Sequence, residues 1–484
     1  MPTRVRTLRT AEPAPARPDV VERAPFDRAL EAIRSELELP TVFPAAVLAE
    51  AERAVREPDL PSADRTDVPL VTVDPPGATD LDQALHVERR GTGFRVHYAI
   101  ADVPAFVVEG GAVDDEARRR GQTMYAPDTR VPLHPPVLSE GAASLLPGQE
   151  APAFLWTFDL DDTGATTAVR LERAMVRSRA QLDYEGVQHA VDSGTADEVL
   201  LGLRDVGLLR IEQERARGGA ALPIPDQEVV VHPDGYELRL RPPLPSEDWN
   251  AQLSLMTGMA AAQIMLGGRV GLLRTMPPPD PRDVAAFRRQ ALALGVDWPD
   301  GARHGDVLRS LDARDPRHLA LLHGSTALFR GAGYTAVDGE LPEVVEQAAV
   351  AAPYAHVTAP LRRLVDRFGL VACEALHRGA EVPAWVREAL PSLPEVMTGS
   401  DRRAGALERA VVDAAEAALL AGRVGQVVAA VVVDVDERRP QGRVQVTDPP
   451  VLAPFEGRAE LGARVQVRLV EADPVARRVL FVIA

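Results

Sequence analysis

The chain contains no lysine, so all 54 of its basic Lys/Arg positions are arginine. Any phosphate contact it makes therefore uses planar, bidentate guanidinium groups and not ammonium point charges. It has one cysteine, Cys373, set in the apolar run GLVACEAL. That excludes a disulfide framework and a cysteine-built zinc site, and it suits a reducing cytoplasm. No run approaches the roughly 18 apolar residues that cross a bilayer. The basic, Pro/Ala-rich start MPTRVRTLRTAEPAPARPD has no apolar stretch of secretory type and reads as a disordered arm. Positive charge is also scarce overall: the net charge is −17, which argues against an open nucleic-acid-binding surface. Local arginine clusters must carry any such role.

What is present fits a large globular protein of 484 residues, 46 % hydrophobic, or two to four units at roughly 100 to 200 residues each. After an arm over 1–25, FDRALEAIRSELELP and PAAVLAEAERAVRE place apolar residues at helical spacing, giving a helical segment over 26–66. PLVTVD reads as a buried strand, and ALHVERR, RGTG and FRVHYAIADV as a hairpin. FLWTFDLDDTG and AVRLERAMVRSRAQLDY read as two more paired strands. From about 246 the pattern turns helical, through NAQLSLMTGMAAAQIML, PRDVAAFRRQALALGV, LRRLVDRFGLVACEALH and RRAGALERAVVDAAEAALLAGRVG. Strands early and helices later make an α+β body over 67–423. The last stretch, 424–484, is β-rich and has the size of a five-stranded OB-type barrel. Such barrels bind single strands by stacking bases on aromatics, and this one offers Phe455 and Phe481 alone.

The loop after the first strand, VTVDPPGATDLDQAL, crowds Asp74, Asp80 and Asp82 together. Two like charges about 4 Å apart repel by something on the order of 4 kcal/mol at an effective dielectric near 20. A solvated turn with the charges pointing apart is one reading. The other starts from Asp74 closing an apolar strand and from the same-face spacing of Asp80 and Asp82 in extended chain. Convergent hard oxygens bind Mg2+ or Mn2+ and thereby act on phosphates. The short D-x-D pattern also serves glycosyltransferases and aspartate-nucleophile phosphatases, so it does not choose among them.

A longer colinear set does choose. DPPGATDLDQAL, AIADVPAFV, GQTMYAPDTRVPLHPPVLSEGAASLLPG, RSRAQLDYEGV, RGGAALPIPDQEV, GLLRTMPPPDP, YAHVTAPLRRLVDRF and ALERA follow one another from about 72 to 410. Together they resemble the ribonuclease II (RNB-domain) exoribonucleases. The resemblance implies an RNB catalytic domain followed by the small barrel. It further implies a Mg2+- or Mn2+-dependent, hydrolytic 3′-to-5′ exoribonuclease that degrades single-stranded RNA to nucleoside 5′-monophosphates. Asp74, Asp80 and Asp82 would then be the metal carboxylates, with Gln83 in the same set, and Asp82, Asp80 and Arg362 the catalytic groups. Arg362 and Arg363 match the family's phosphate-gripping arginines, Tyr125 a tyrosine that stacks on the 3′ base, and Glu408 a supporting glutamate. Tyr354 and His356 would line the same RNA channel, while Asp102 is structural. Without the flanking match, the arginine pair would read as solvated side chains opposite Leu361, Leu364 and Val365.

The departures from the family's pattern matter as much. Gln83 stands where the usual Asp-Asp pair has its second carboxylate; Ala99 and Met276 replace histidines, and Ala359-Pro360-Leu361 replaces S-P-I. A neutral Gln83 weakens one of two metal positions. The residues before Val68 do not accommodate the family's two cold-shock barrels, so a short form is expected: a monomer, weakly processive or supplied with RNA by a protein partner, with no membrane contact. A catalytically weak or inactive RNA-binding protein on the same fold is the alternative.

Overall fold

Large and small apolar residues alternate along two strands and so give each a bulky and a slim face. The computed structural model describes residues 21–484 apart from 221–225, 233–234, 242, 437 and 447. In it, β1 (Leu70–Asp74), β2 (Gln83–Arg90), β3 (Gly93–Ala101), β4 (Glu150–Leu160) and β5 (Thr166–Asp183) close into a barrel. On the bulky face Phe94, Val96, Tyr98 and Ile100 of β3 meet Phe154, Trp156 and Phe158 of β4 in one core cluster. On the slim face Ala99, Ala101, Ala153 and Leu155 belong to another. Each fully buried large side chain contributes roughly 1.5–3 kcal/mol relative to exposure. Helices α3 (Glu198–Arg217) and α4 (Pro245–Gly268) cover the bulky face through Leu203, Val206, Trp249 and Leu253. Helix α2 (Ala45–Arg56) covers the slim face through Val47 and Ala51.

Closure comes from β5, which pairs antiparallel with β4 and parallel with β1, so that Asp74 lies opposite Asp183. The tight hairpin between β2 and β3 requires glycine at 93, where a Cβ would stand 2.0 Å from the Leu160 carbonyl oxygen. β1 ends at Asp74 and β2 starts at Gln83, so the acidic stretch is the loop across one mouth of the barrel.

The C-terminal unit is a second closed barrel of β6 (Val427–Val435), β7 (Gln441–Val446), β8 (Leu452–Glu456), β9 (Arg464–Asp473) and β10 (Arg478–Ile483). Its strand order is β6-β7-β8-β10-β9, with β8 and β10 parallel, as an OB-type barrel requires. Helix α1 (Arg23–Glu36) and the long α6 (Leu393–Leu420) join it in one apolar cluster that includes Phe26, Leu30, Val411, Ala414, Val432, Phe455 and Phe481. Three shorter helices, Pro281–Ala293, His304–Ser310 and Pro316–Gly324, form a further cluster with Val431 and Val433 of β6.

The α+β architecture with a terminal OB-type barrel is as the sequence suggests. Residues 1–20 of the expected arm lie outside the described residues, but Val21–Glu22 pair with Gly235 and Tyr236, and α1 begins at Arg23. Between Tyr184 and Arg241 the chain forms two helices and a hairpin, where the sequence offered no assignment. Helix α5 (Leu364–His377) begins only after the arginine pair: residues 360–362 form a turn closed on the Ala359 carbonyl, and Arg363 is extended at φ −132°. The pair is therefore not a solvated helical face.

Candidate active site

The acidic loop is fastened to the protein along its backbone. Leu81 is fully buried; its N–H donates to Ser144 Oγ at 2.9 Å, and its carbonyl accepts from Leu145 N at 3.0 Å. Ser144 Oγ in turn donates to the Thr79 carbonyl at 2.8 Å. The Asp82 carbonyl accepts from Ala101 N at 2.9 Å. With Leu81 anchored inward, the carboxylates on either side of it face the segment around Arg362.

Asp82 is 2 % exposed. Its Oδ1 accepts the Leu361 backbone N–H at 2.8 Å, and its Oδ2 accepts Arg362 Nε–H at 3.1 Å. Among the described residues no other hydrogen bond is recorded for the Arg362 guanidinium, which leaves its terminal amino groups for an anion. Asp80 is held differently: Tyr125 Oη donates to its Oδ2 at 3.0 Å and Arg130 Nη1 to its Oδ1 at 3.0 Å. Asp74 has a buried Oδ2 with no hydrogen-bond partner among the described residues. Burial pushes the Asp74 carboxyl up to about 7 and that of Asp82 up to about 8; Arg362 works against both shifts and the negative charge of Asp80 adds to them. Burial thus outweighs the one arginine beside these carboxyls. The unpartnered Asp74 oxygen beside them is a hard donor that fits a divalent cation.

Several residues place the arginine. The Arg362 carbonyl accepts from Thr123 N at 3.0 Å, which ties it to the strand leading into Tyr125. His134, buried beneath the same turn, bonds to the Pro360 backbone, and burial pushes its imidazole down to about 3, so it acts as a neutral donor. Ala359 N donates to Asp366 Oδ2 at 2.7 Å.

The structure brings Asp74, Asp80, Asp82, Tyr125 and Arg362 to one place and sends others elsewhere. Among the described residues no group of three or more His, Cys, Asp and Glu forms a metal-holding cluster, so the three aspartates do not converge on a single point. Arg362 lies against Asp82, and Arg130 lies between Asp80 and Glu140. Gln83 turns away: its Nε2 donates to the Thr358 carbonyl and its Oε1 accepts from Tyr98 Oη at 3.1 Å. A carbonyl partner demands the NH2 group, which fixes the orientation of the amide.

Arg363, Tyr354 and His356, expected as RNA contacts, are placed among protein partners. Arg363 is 6 % exposed and its guanidinium lies on Asp366, with Nη2 to Oδ2 at 2.8 Å and Nε to Oδ1 at 3.0 Å. Tyr354 is 3 % exposed and lies against α4 at Gly258, where a Cβ would stand 2.2 Å from the ring. His356 Nδ1 bonds Tyr334 Oη at 2.7 Å, and its ring packs edge-on to Tyr354. All three side chains are buried and held by protein groups. Glu408 lies on an exposed side of α6. Asp102 accepts from Arg173 Nε at 2.7 Å and from Ala105 N at 3.2 Å, a structural role as expected. Sequence reasoning missed Arg130, Glu140, Tyr98 and His134. For Arg130 the turn in YAPDTR was a usable signal, because it sets Tyr125 and Arg130 directly opposite each other in a hairpin.

A model of the RNB domain matches residues 63–371, and a model of the RNase II-type exonuclease C-terminal S1 domain matches residues 426–484. The probable exosome complex exonuclease RRP44 of Caenorhabditis elegans is 29 % identical over 349 residues, covering 67 % of this chain and 36 % of its own length. The chain thus spans about a third of that relative. The apo form of Mycoplasma genitalium RNase R has the same fold, with a TM-score of 0.83 at 18 % identity over 95 % of this chain and 78 % of that one. Yeast Ssd1, a pseudonuclease, also shares the fold, with a TM-score of 0.66 at 15 % identity over 92 % and 58 %.

Proposed function

The chain belongs to the RNB-domain exoribonuclease family, and from that premise we propose that it is a hydrolytic 3′-to-5′ exoribonuclease shortening single-stranded RNA to nucleoside 5′-monophosphates with Mg2+ or Mn2+. The observation that carries the reading is the joining of Asp82 to Arg362 across the mouth of the barrel. The carboxylate orients the guanidinium through Nε, and the terminal amino groups then grip the scissile phosphate. Charge that develops on the phosphoryl oxygens strengthens that grip, which makes it catalytic and not merely binding. Asp74 and Asp82 would hold the cation, since burial raises both carboxyls beyond what Arg362 offsets and Asp74 Oδ2 has no hydrogen-bond partner among the described residues. The cation supplies Lewis-acid polarisation of the phosphodiester. Tyr125 offers its ring to the 3′-terminal base while its hydroxyl stays on Asp80. Stacking of this kind contributes roughly 1–3 kcal/mol per base and is indifferent to sequence.

End-labelled single-stranded RNA with Mg2+ or Mn2+ is expected to release mononucleotides from the 3′ end. Asp82→Asn should abolish release with an unchanged circular dichroism spectrum; retained activity would remove Asp82 from its role. The second reading, an RNA-binding protein with little or no catalysis, is favoured by Gln83, whose amide is committed to Thr358 and Tyr98. It requires RNA binding without mononucleotide release in either metal.

A further inference from the structure

Of the four carboxylates around the loop, three are paired with an arginine. Asp82 faces Arg362, which also serves the substrate. Asp74 Oδ2 has no hydrogen-bond partner among the described residues, although the Arg362 charge acts on its carboxylate. Asp80 faces Arg130, which is committed to the protein: besides Nη1 to Asp80 Oδ1 at 3.0 Å, its Nη2 donates to Thr79 Oγ1 at 2.6 Å and stands 2.6 Å from Glu140 Oε2. Thr79 Oγ1 also bonds Glu140 Oε2 at 3.2 Å. Arg130 is thus inserted between two carboxylates, with its backbone opposite Tyr125, the other donor to Asp80. Asp80, Thr79 and Glu140 would otherwise be an oxygen set suited to a hard cation.

We propose that Arg130 is a built-in cation that takes the place of one of two metal ions at this site, so that the protein binds a single dication, on the Asp74 side. The inference rests on the nuclease reading above. The charges support it: Asp74, Asp80, Asp82 and Glu140 bring four negative charges, Arg130 and Arg362 return two, and one dication balances the remainder. A fifth carboxylate at 83 would leave one negative charge over; Gln83, neutral and sealed to Thr358 and Tyr98, leaves none. Gln83 and Arg130 are therefore two halves of one departure from a two-cation site.

Mn2+ titration of the full chain tests this, by electron paramagnetic resonance of the free ion together with calorimetry, counting only sites lost in Asp74→Asn or in Asp80→Asn. The wild type should bind one Mn2+ per chain. Arg130→Gln should bind two, and Arg130→Lys, which keeps the charge, one. Two Mn2+ in the wild type overturns the proposal, as does one in Arg130→Gln with an unchanged melting curve. Should Arg130→Gln not fold, the wild-type count still decides. RNA digestion measured in parallel separates the two claims: two Mn2+ with mononucleotide release refutes the role of Arg130 and leaves the nuclease reading standing, whereas no Mn2+ and no release refutes both.

Discussion

Adjacent arginines, Arg362 and Arg363, have opposite fates: Arg362 ends the turn over 360–362 and reaches Asp82 with its Nε–H, whereas Arg363 is extended and turns its guanidinium onto Asp366. Arg362→Ala should lower kcat/KM by about 10²- to 10³-fold, the range for losing one preorganised donor to a developing charge, with stability nearly unchanged. Arg363→Ala should do the reverse. It strands the fully buried Asp366, and breaking a buried pair from one side costs about 3–5 kcal/mol, read as a lower midpoint in denaturant. The resemblance in sequence located both arginines but could not sort them, since burial at one position depends on a partner three residues later and on the packing above it. For Arg130 the local turn pairs it with Tyr125, but its partner Asp80 lies 50 positions away and the turn does not reveal that contact.

The elements divide in the same way. Helical spacing and the hairpin glycines made most helices and the β2–β3 hairpin legible. The parallel closure of β1 on β5 was not, because it joins Asp74 to Asp183 across more than a hundred intervening residues. The C-terminal barrel was legible as a barrel, but its aromatics turn out to be core: Phe455 and Phe481 are 1 % and 0 % exposed and lie on paired strands. They are not available to stack on bases. The seam between α6 and this barrel carries a titratable group, Glu416, whose Oε1 accepts Leu452 N at 2.8 Å and Gln227 Nε2 at 2.7 Å. Burial pushes its carboxyl up from 4.5 to about 7. The folded state therefore holds a proton that the unfolded chain releases, so stability from this group is complete below pH 4.5 and is lost as pH rises through 7. The loss is ~3 kcal/mol by linkage. Glu416→Gln should remove it: urea midpoints of wild type and variant should lie close together at pH 4 and diverge in the variant's favour by pH 8.

At the scale of the whole molecule, the proposed function requires an acidic protein to hold a polyanion through a few arginines. Affinity for single-stranded RNA should fall steeply with salt, with a log–log slope of about −0.7 per phosphate contacted. Arg362→Ala should flatten that slope by roughly one contact's share; fluorescence anisotropy from 50 to 200 mM salt measures both. Salt-insensitive, fully processive degradation of long RNA would contradict this picture. The cluster that joins α1, α6 and the C-terminal barrel also contains Met124 and Val131, the inward residues of the hairpin whose outward residues are Tyr125 and Arg130. At 1.5 Å per residue, α6 runs for about 40 Å as a strut from that hairpin to the barrel. Hairpin and barrel thus share one foundation, and melting the barrel should loosen Tyr125 and Arg130 in the same transition, so that the grip on Asp80 fails cooperatively with a domain that touches none of the catalytic groups.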